Sequence, residues 1–334
     1  MKNTANFLSY ELKTLKKNIE VSGDPLGFKK IYWTDWTKDL EIPEPGKSLF
    51  FTGRMYQMLP YIRQTTQMLP LIQPLVSKWP TRHLIDFGNK LAGELVIRKK
   101  AEANQEFNSR CNNIVKGIFY SLQNQGEKVG YLFEKEPYTG VLLYDLGLVK
   151  QVTPHVKQVA SFFVSQGFEK IITLDPHSTF MLKEIYPELA QDFNIQVKNY
   201  IEILGNREPG INISSRENIP DNFVIHDSCY MSRELGIIEN IRTILDKLNL
   251  KYYESPNSGR DTACCGGPVE YAFPGLSHNI AKSRIKELRE KSRNILVTCP
   301  ICYLNFVNHE SSQDVRIWDL GEVLYHMVSG HAGT

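Results

Sequence analysis

Six short runs rich in β-branched and aromatic residues punctuate the chain, and each stops at a turn or where a helical pattern starts. They are SLFFTG from Ser48, VGYLF from Val129, KIITLD from Lys170, NFVIHD from Asn222, NILVTC from Asn294 and VRIWDL from Val315. Between them lie stretches such as PHVKQVASFFVSQG and ELGIIENIRTILDKL, whose apolar residues recur every three or four positions, the spacing of one helix face. Strands alternating with helices predict an α/β fold. At 334 residues the chain is long enough for two domains rather than one.

The chain also resembles itself. KIITLDPHSTFMLKEI (Lys170 to Ile185) and NILVTCPICYLNFVNH (Asn294 to His309) each run from a strand through a Pro-containing turn into a helix. Each is followed by a strand and an acidic-then-aliphatic segment, VKNYIEILGN and VRIWDLGEVLY, in which Glu202 matches Glu322 and Leu204 matches Leu324. Upstream, LFFTGRMYQ pairs with FVIHDSCYM, and PYTGVLLYDLG with ACCGGPVEY. The two halves therefore read as copies of one module. The expected division is an N-terminal extension over 1–47, a first module over 48–205 and a second over 206–334, with the junction in the polar stretch from Gly205 to Asn222. The first module carries a helical, charge-rich insertion, about Leu71 to Tyr120.

Composition excludes several function classes. Basic and acidic residues balance at 39 against 37, which is no footprint for nucleic acid. No apolar run approaches the roughly 18 residues that cross a bilayer, and the opening MKNTANFLSYELKTLKK lacks a secretory core. A cytoplasmic protein without a membrane span is expected, membrane-associated only through partners. All six cysteines but Cys111 lie between Cys229 and Cys302, a clustering that suits a metal site in a reducing compartment better than a disulfide framework.

Those five, Cys229, Cys264, Cys265, Cys299 and Cys302, stand at the predicted ends of strands, where ligands collect in open α/β sheets. Helices starting beside Cys229 and Cys302 would turn their amide ends toward anionic sulfur, and Gly266-Gly267 would bring backbone N–H groups close to a metal. A structural zinc takes four ligands, so five cysteines overfill it, and adjacent residues rarely aim both side chains at one ion. A vicinal disulfide is strained and leaves three cysteines over. An iron–sulfur cluster offers several metal atoms and fits best; zinc and metal-free redox thiols are the alternatives.

The pattern of Cys229, thirty-four residues, Cys264-Cys265-Gly266, thirty-two residues, Cys299-Pro-Ile-Cys302 resembles the cysteine-rich CCG domain of heterodisulfide reductase B and D subunits. HDSCYMSRELG, His226 to Gly236, is similar to that family's HDPC-type opening. Related domains occur in iron–sulfur subunits of glycolate, lactate and glycerol-3-phosphate oxidation systems and in an archaeal succinate dehydrogenase subunit. The likeness covers about Ser48 to Tyr325. It implies two tandem CCG-type modules related by a pseudo-twofold axis. It also implies that the five cysteines hold a noncubane [4Fe-4S] cluster and, through it, carry disulfide or thiol chemistry, with electrons arriving from ferredoxin-like cubanes.

The first half departs from the family. Where cysteines would stand it has Arg54, Tyr138-Thr139 and the DPHS of Asp175 to Ser178, so that module is degenerate and is expected to cover the single cluster without binding one. No closely spaced run of four cysteines follows, which makes the chain similar to a B-type subunit of a heterodisulfide-reductase-like complex. This implies a ferredoxin-like C-type partner, a flavoprotein A-type partner and a disulfide or sulfur-carrier substrate. Two rival readings are an electron relay for a flavoprotein that oxidises a 2-hydroxy acid, and a zinc-binding structural subunit. Among other residues, His177 reads as a polar turn residue rather than a metal ligand, and Cys111 as a reduced structural thiol. His226 and Asp227 could tune the site or simply satisfy a turn. Arg54 and Arg260 are candidates to face an anionic substrate, although a structural role suits each better. The aromatic IYWTDW, Ile31 to Trp36, is expected to pack rather than bind a base.

Overall fold

The computed structural model describes residues 2–76, 94–207, 211 and 213–328. Its strands form two parallel sheets, as the alternation of strand and helix requires. The first sheet has β1 (Ser48–Phe51), β2 (Lys170–Thr173) and β3 (Gln196–Asn199) in the order β1-β2-β3. The second has β4 (Asn222–Ile225), β5 (Lys251–Tyr253), β6 (Asn294–Val297) and β7 (Arg316–Asp319) in the order β5-β4-β6-β7. β1, β2, β4, β6 and β7 each have one half-buried residue followed by three buried ones, the mark of strands covered on both faces. In register, Phe50 lies beside Ile172 and Ile225 beside Leu296.

Three elements differ from the sequence reading. VGYLF is no strand: only Gly130 bridges to Leu49, and the chain then enters a 3-10 turn at Phe133–Lys135. A side chain at Gly130 would meet the Glu44 carbonyl at 2.5 Å, so the segment before β1 covers the place where more pairing would form. β5, three residues long and half-exposed, carried too little apolar signal to be recognised. The helix expected in ELGIIENIRTILDKL begins only at Glu239, because the chain leaves Tyr230–Glu234 through Gly236 at φ +66°.

Within the insertion, residues 77–93 lie outside the described residues; the rest is helical, as expected, over Glu94–Ala103 and Gln105–Asn124. The second helix packs against the second half. A Cβ on its Gly117 would meet the Gly321 carbonyl at 2.1 Å, so the glycine permits contact between its backbone and that of helix Leu320–Val328. Arg110 reinforces this contact by donating to Glu322 at 2.9 Å. One apolar core therefore runs from Phe50 through Ile114 and Ile118 to Ile295 and Leu324. Trp33 and Trp36 are fully buried, Trp36 against Phe50, Phe119 and Tyr131, as IYWTDW predicted.

Candidate metal centre

The C-terminal ends of β4, β5 and β6 deliver the five cysteines to one place. Cys229 follows β4 and starts a π-helical turn, Cys264 and Cys265 lie on the loop after β5, and Cys299 caps helix Pro300–Val307, whose first turn holds Cys302. Pro300 fits the first helical position because no N–H is needed there. The sulfurs form a connected group: Cys265 bonds with Cys264 and Cys302, Cys302 with Cys299, and Cys229 feels the charge of both Cys299 and Cys265. All six cysteines of the chain are free thiols. Cys265, Cys299 and Cys302 are buried, Cys229 is half-buried and Cys264 is exposed.

Gly266 and Gly267 shape this site. Gly266 stands at φ +86°, where a side chain would also meet the Ser277 carbonyl at 2.8 Å, and a Cβ on Gly267 would lie 2.4 Å from Ile301. With both glycines in place, the Gly266 N–H donates to Cys264 Sγ at 3.3 Å and the Gly267 N–H to Cys265 Sγ at 3.4 Å. Asn305 donates to the Cys265 carbonyl at 2.6 Å and fixes the loop from below.

The thiols differ sharply in how readily they ionise. Hydrogen bonds from Cys264, Cys302 and His226 hold Cys265 well below the usual thiol range. Burial opposes charge on Cys299, yet donors from Cys302 and His177 bring it down as well. Burial, with the neighbouring thiolates, pushes Cys229 up to about 11. Thiolates are the ligand form for metals, and Cys265 and Cys299 are the two that their neighbours favour in that form.

His226, Cys265 and Cys302 present ligand atoms within 4.8 Å of one another, a set that zinc would accept by composition. The proton on His226 argues against that use. Arg284, buried and always charged, donates Nε–H to His226 Nδ1 at 3.3 Å, so the imidazole carries its hydrogen on Nε2. A nitrogen bearing hydrogen donates to sulfur and does not bind an ion. Arg284 is in turn held by Ser255 Oγ at 3.0 Å and the Asn257 carbonyl at 2.7 Å. The buried Ser228 and Thr298 hydroxyls, each one residue from a cysteine, have no partner among the described residues. Two unpartnered hydroxyls beside five sulfurs suit a cofactor that brings sulfide acceptors of its own.

Residues 223–307 match the family model for the cysteine-rich domain named CCG. The sulfur site thus lies within a CCG-type cysteine-rich domain. Three relatives are longer than this chain. It is 25% identical over 235 residues to an EtfAB:quinone oxidoreductase of Syntrophomonas wolfei, covering 66% of this chain and 32% of the relative. It is 22% identical over 232 residues to a probable iron-sulfur-binding oxidoreductase FadF of Bacillus subtilis, covering 67% and 33%. It is 25% identical over 138 residues to the D-type subunit of the dihydromethanophenazine:CoB–CoM heterodisulfide reductase of Methanosarcina acetivorans, covering 40% and 34%. The chain thus spans about a third of the length of the curated relatives it matches.

Other residues singled out by the sequence fall elsewhere. Arg54 faces no open site: it is fully buried at φ +60°, paired with Asp24 at 3.4 Å and bonded to the Glu136 carbonyl. Asp227 is held by Arg242 at 2.5 and 2.8 Å and by the Gly259 N–H at 2.7 Å, which makes it an anchor of the loops. Cys111 is buried in the core, where burial pushes its thiol far up, and it stays protonated as expected. His177 is a residue that sequence reading saw only in part. Expected as a polar turn residue and not a metal ligand, it stands in the first turn of helix Pro176–Phe180, buried, with Nε2 3.4 Å from Cys299 Sγ, a contact that reading did not foresee. Arg284 was missed altogether, since nothing in its helical context marks it. Among the described residues no helix is long and apolar enough to cross a membrane.

Proposed function

We propose that this chain is the iron–sulfur subunit of a heterodisulfide-reductase-like oxidoreductase complex, with Cys229, Cys264, Cys265, Cys299 and Cys302 holding one noncubane [4Fe-4S] cluster. The observation that carries the reading is the connected group of five sulfurs from three loops, with Cys265 and Cys302 beside a His226 whose proton Arg284 fixes on Nε2. Such a cluster, when bound, would accept electrons singly and take up the sulfurs of a cleaved disulfide. The chain's own groups do the rest. Gly266 and Gly267 amides, His226 and the start of helix Pro300–Val307 offset the negative charge of the thiolates. Exposed Cys264 and half-buried Cys229 mark the side on which a thiol or disulfide would approach. The buried trio faces away from solvent.

We read residues 48–205 as a degenerate copy of the module in 206–334. β1-β2-β3 follows the same order as β4-β6-β7, and Asp175 and Ser178 stand as far beyond β2 as Cys299 and Cys302 stand beyond β6. Within these 334 residues the five cysteines and the core thiol Cys111 leave no foursome for a cubane. On this reading electrons come through a ferredoxin-like C-type protein, with a flavoprotein A-type subunit behind it, in the cytoplasm. A second reading, electron relay for a flavoprotein dehydrogenase, draws on the relative named as an EtfAB:quinone oxidoreductase.

Anaerobic purification with iron and acid-labile sulfide analysis tests the cluster. About four of each per chain, with loss on Cys265→Ser, is the expected result, whereas one zinc without sulfide would overturn it. Turnover of a disulfide by the reconstituted complex, against electron transfer alone, separates the two redox readings.

A further inference from the structure

His177 belongs to the half of the chain that has no site cysteine, yet it enters the sulfur site. It sits in the first turn of helix Pro176–Phe180, after Asp175, whose side chain accepts the Ser178 N–H at 2.9 Å. Counted from the strand ends, His177 stands where Ile301 stands in the second half, between the positions of Cys299 and Cys302. Its ring is 5% exposed and packs on Tyr230 with centroids 4.3 Å apart. Nε2 lies 3.4 Å from Cys299 Sγ and Nδ1 4.0 Å from Asp145 Oδ2, while Tyr230 donates its hydroxyl to Asp145 Oδ1. A metal-bound Cys299 is a thiolate with no hydrogen of its own to donate, so with a cluster in place this contact requires an N–H on Nε2.

We infer that His177 is a positioning residue for the cluster, donating a hydrogen bond from Nε2 to the Cys299 sulfur and oriented by Asp145 and Tyr230. The inference rests on the cluster reading above. A donor to a coordinated thiolate draws density from it and favours the reduced, more negative state, so this bond raises the reduction potential. The half without cysteines then tunes the centre held by the other half, and does more than cover it.

The test compares anaerobically purified wild type, His177→Gln and His177→Leu by iron and sulfide content and by an EPR-monitored redox titration. With clusters retained, Leu should lower the reduction equilibrium constant about tenfold, about 59 mV for one electron, while Gln, which keeps an N–H, stays near wild type. Equal potentials in wild type and Leu overturn the inference. So does strong coupling from 15N-labelled histidine, which marks direct ligation. Weak coupling that His177→Gln abolishes supports it. Should neither variant retain iron, weak 15N coupling persisting in His226→Gln supports the bond and its absence overturns it. A wild type with no iron or sulfide sinks the cluster reading instead, a distinct result.

Discussion

The Arg284 guanidinium binds Glu287 at 2.8 Å as well as His226, and its removal changes two things at once. In Arg284→Met, Glu287 loses its cation and the Ser255 and Asn257 acceptors lose their donor, at a cost of about 2–4 kcal/mol. His226 is also freed to move its proton to Nδ1, so aerobically grown Arg284→Met should copurify with more zinc than wild type; unchanged zinc content would refute the tautomer assignment. Asp319 supplies a second test. Burial, against the opposing hydroxyl of Tyr56 at 2.8 Å and amide of Gly321, and with Glu322 and Cys299 nearby, pushes its carboxyl up to about 8. The folded chain therefore binds more protons than the unfolded one between the ordinary aspartate value and pH 8, and stability falls as pH rises through that window. Asp319→Asn keeps both contacts possible and should flatten the dependence of melting temperature on pH between about 5 and 8. The five cysteines were legible because their number and spacing carry chemistry by themselves. His177 was not, since its partner lies 122 positions away and only the fold brings them together.

Among elements, the double-glycine turn is the most exposed to substitution. Gly266→Ala forces a side chain into a left-handed position against the Ser277 carbonyl, a cost of about 1–3 kcal/mol, and should lower cluster occupancy on reconstitution. Gly267→Ala should displace Ile301, and with it the segment between Cys299 and Cys302, so iron content is again the readout. The strands that deliver cysteines were legible for a simple reason: parallel strands covered on both faces are continuous apolar runs, as in NILV and NFVI. VGYLF carries the same signal and still fails to pair beyond Gly130, because the segment at Pro43 occupies its edge, accepting the Tyr131 N–H at 3.0 Å. Local pattern proposes a strand; the neighbour available to it decides.

At the scale of the whole molecule the two sheets share a core that no pattern along the chain announces. Helix Gln105–Asn124 reads from its sequence as an insertion in the first half, and its apolar stripe is completed by the last helix of the second. Gly117→Ala would wedge these helices apart at the Gly321 carbonyl and should cost about 1–3 kcal/mol in a single thermal transition, with no separate melting of either half. Two transitions would show that the halves are independent. The same contact bears on how the chain is made. Arg110 and Glu322 lie 212 positions apart, so during synthesis the part of helix Gln105–Asn124 that packs on the last helix leaves the ribosome long before that cover exists. Until the C-terminal helix arrives that apolar surface is open to other proteins, and slower translation of the second half lengthens the exposure.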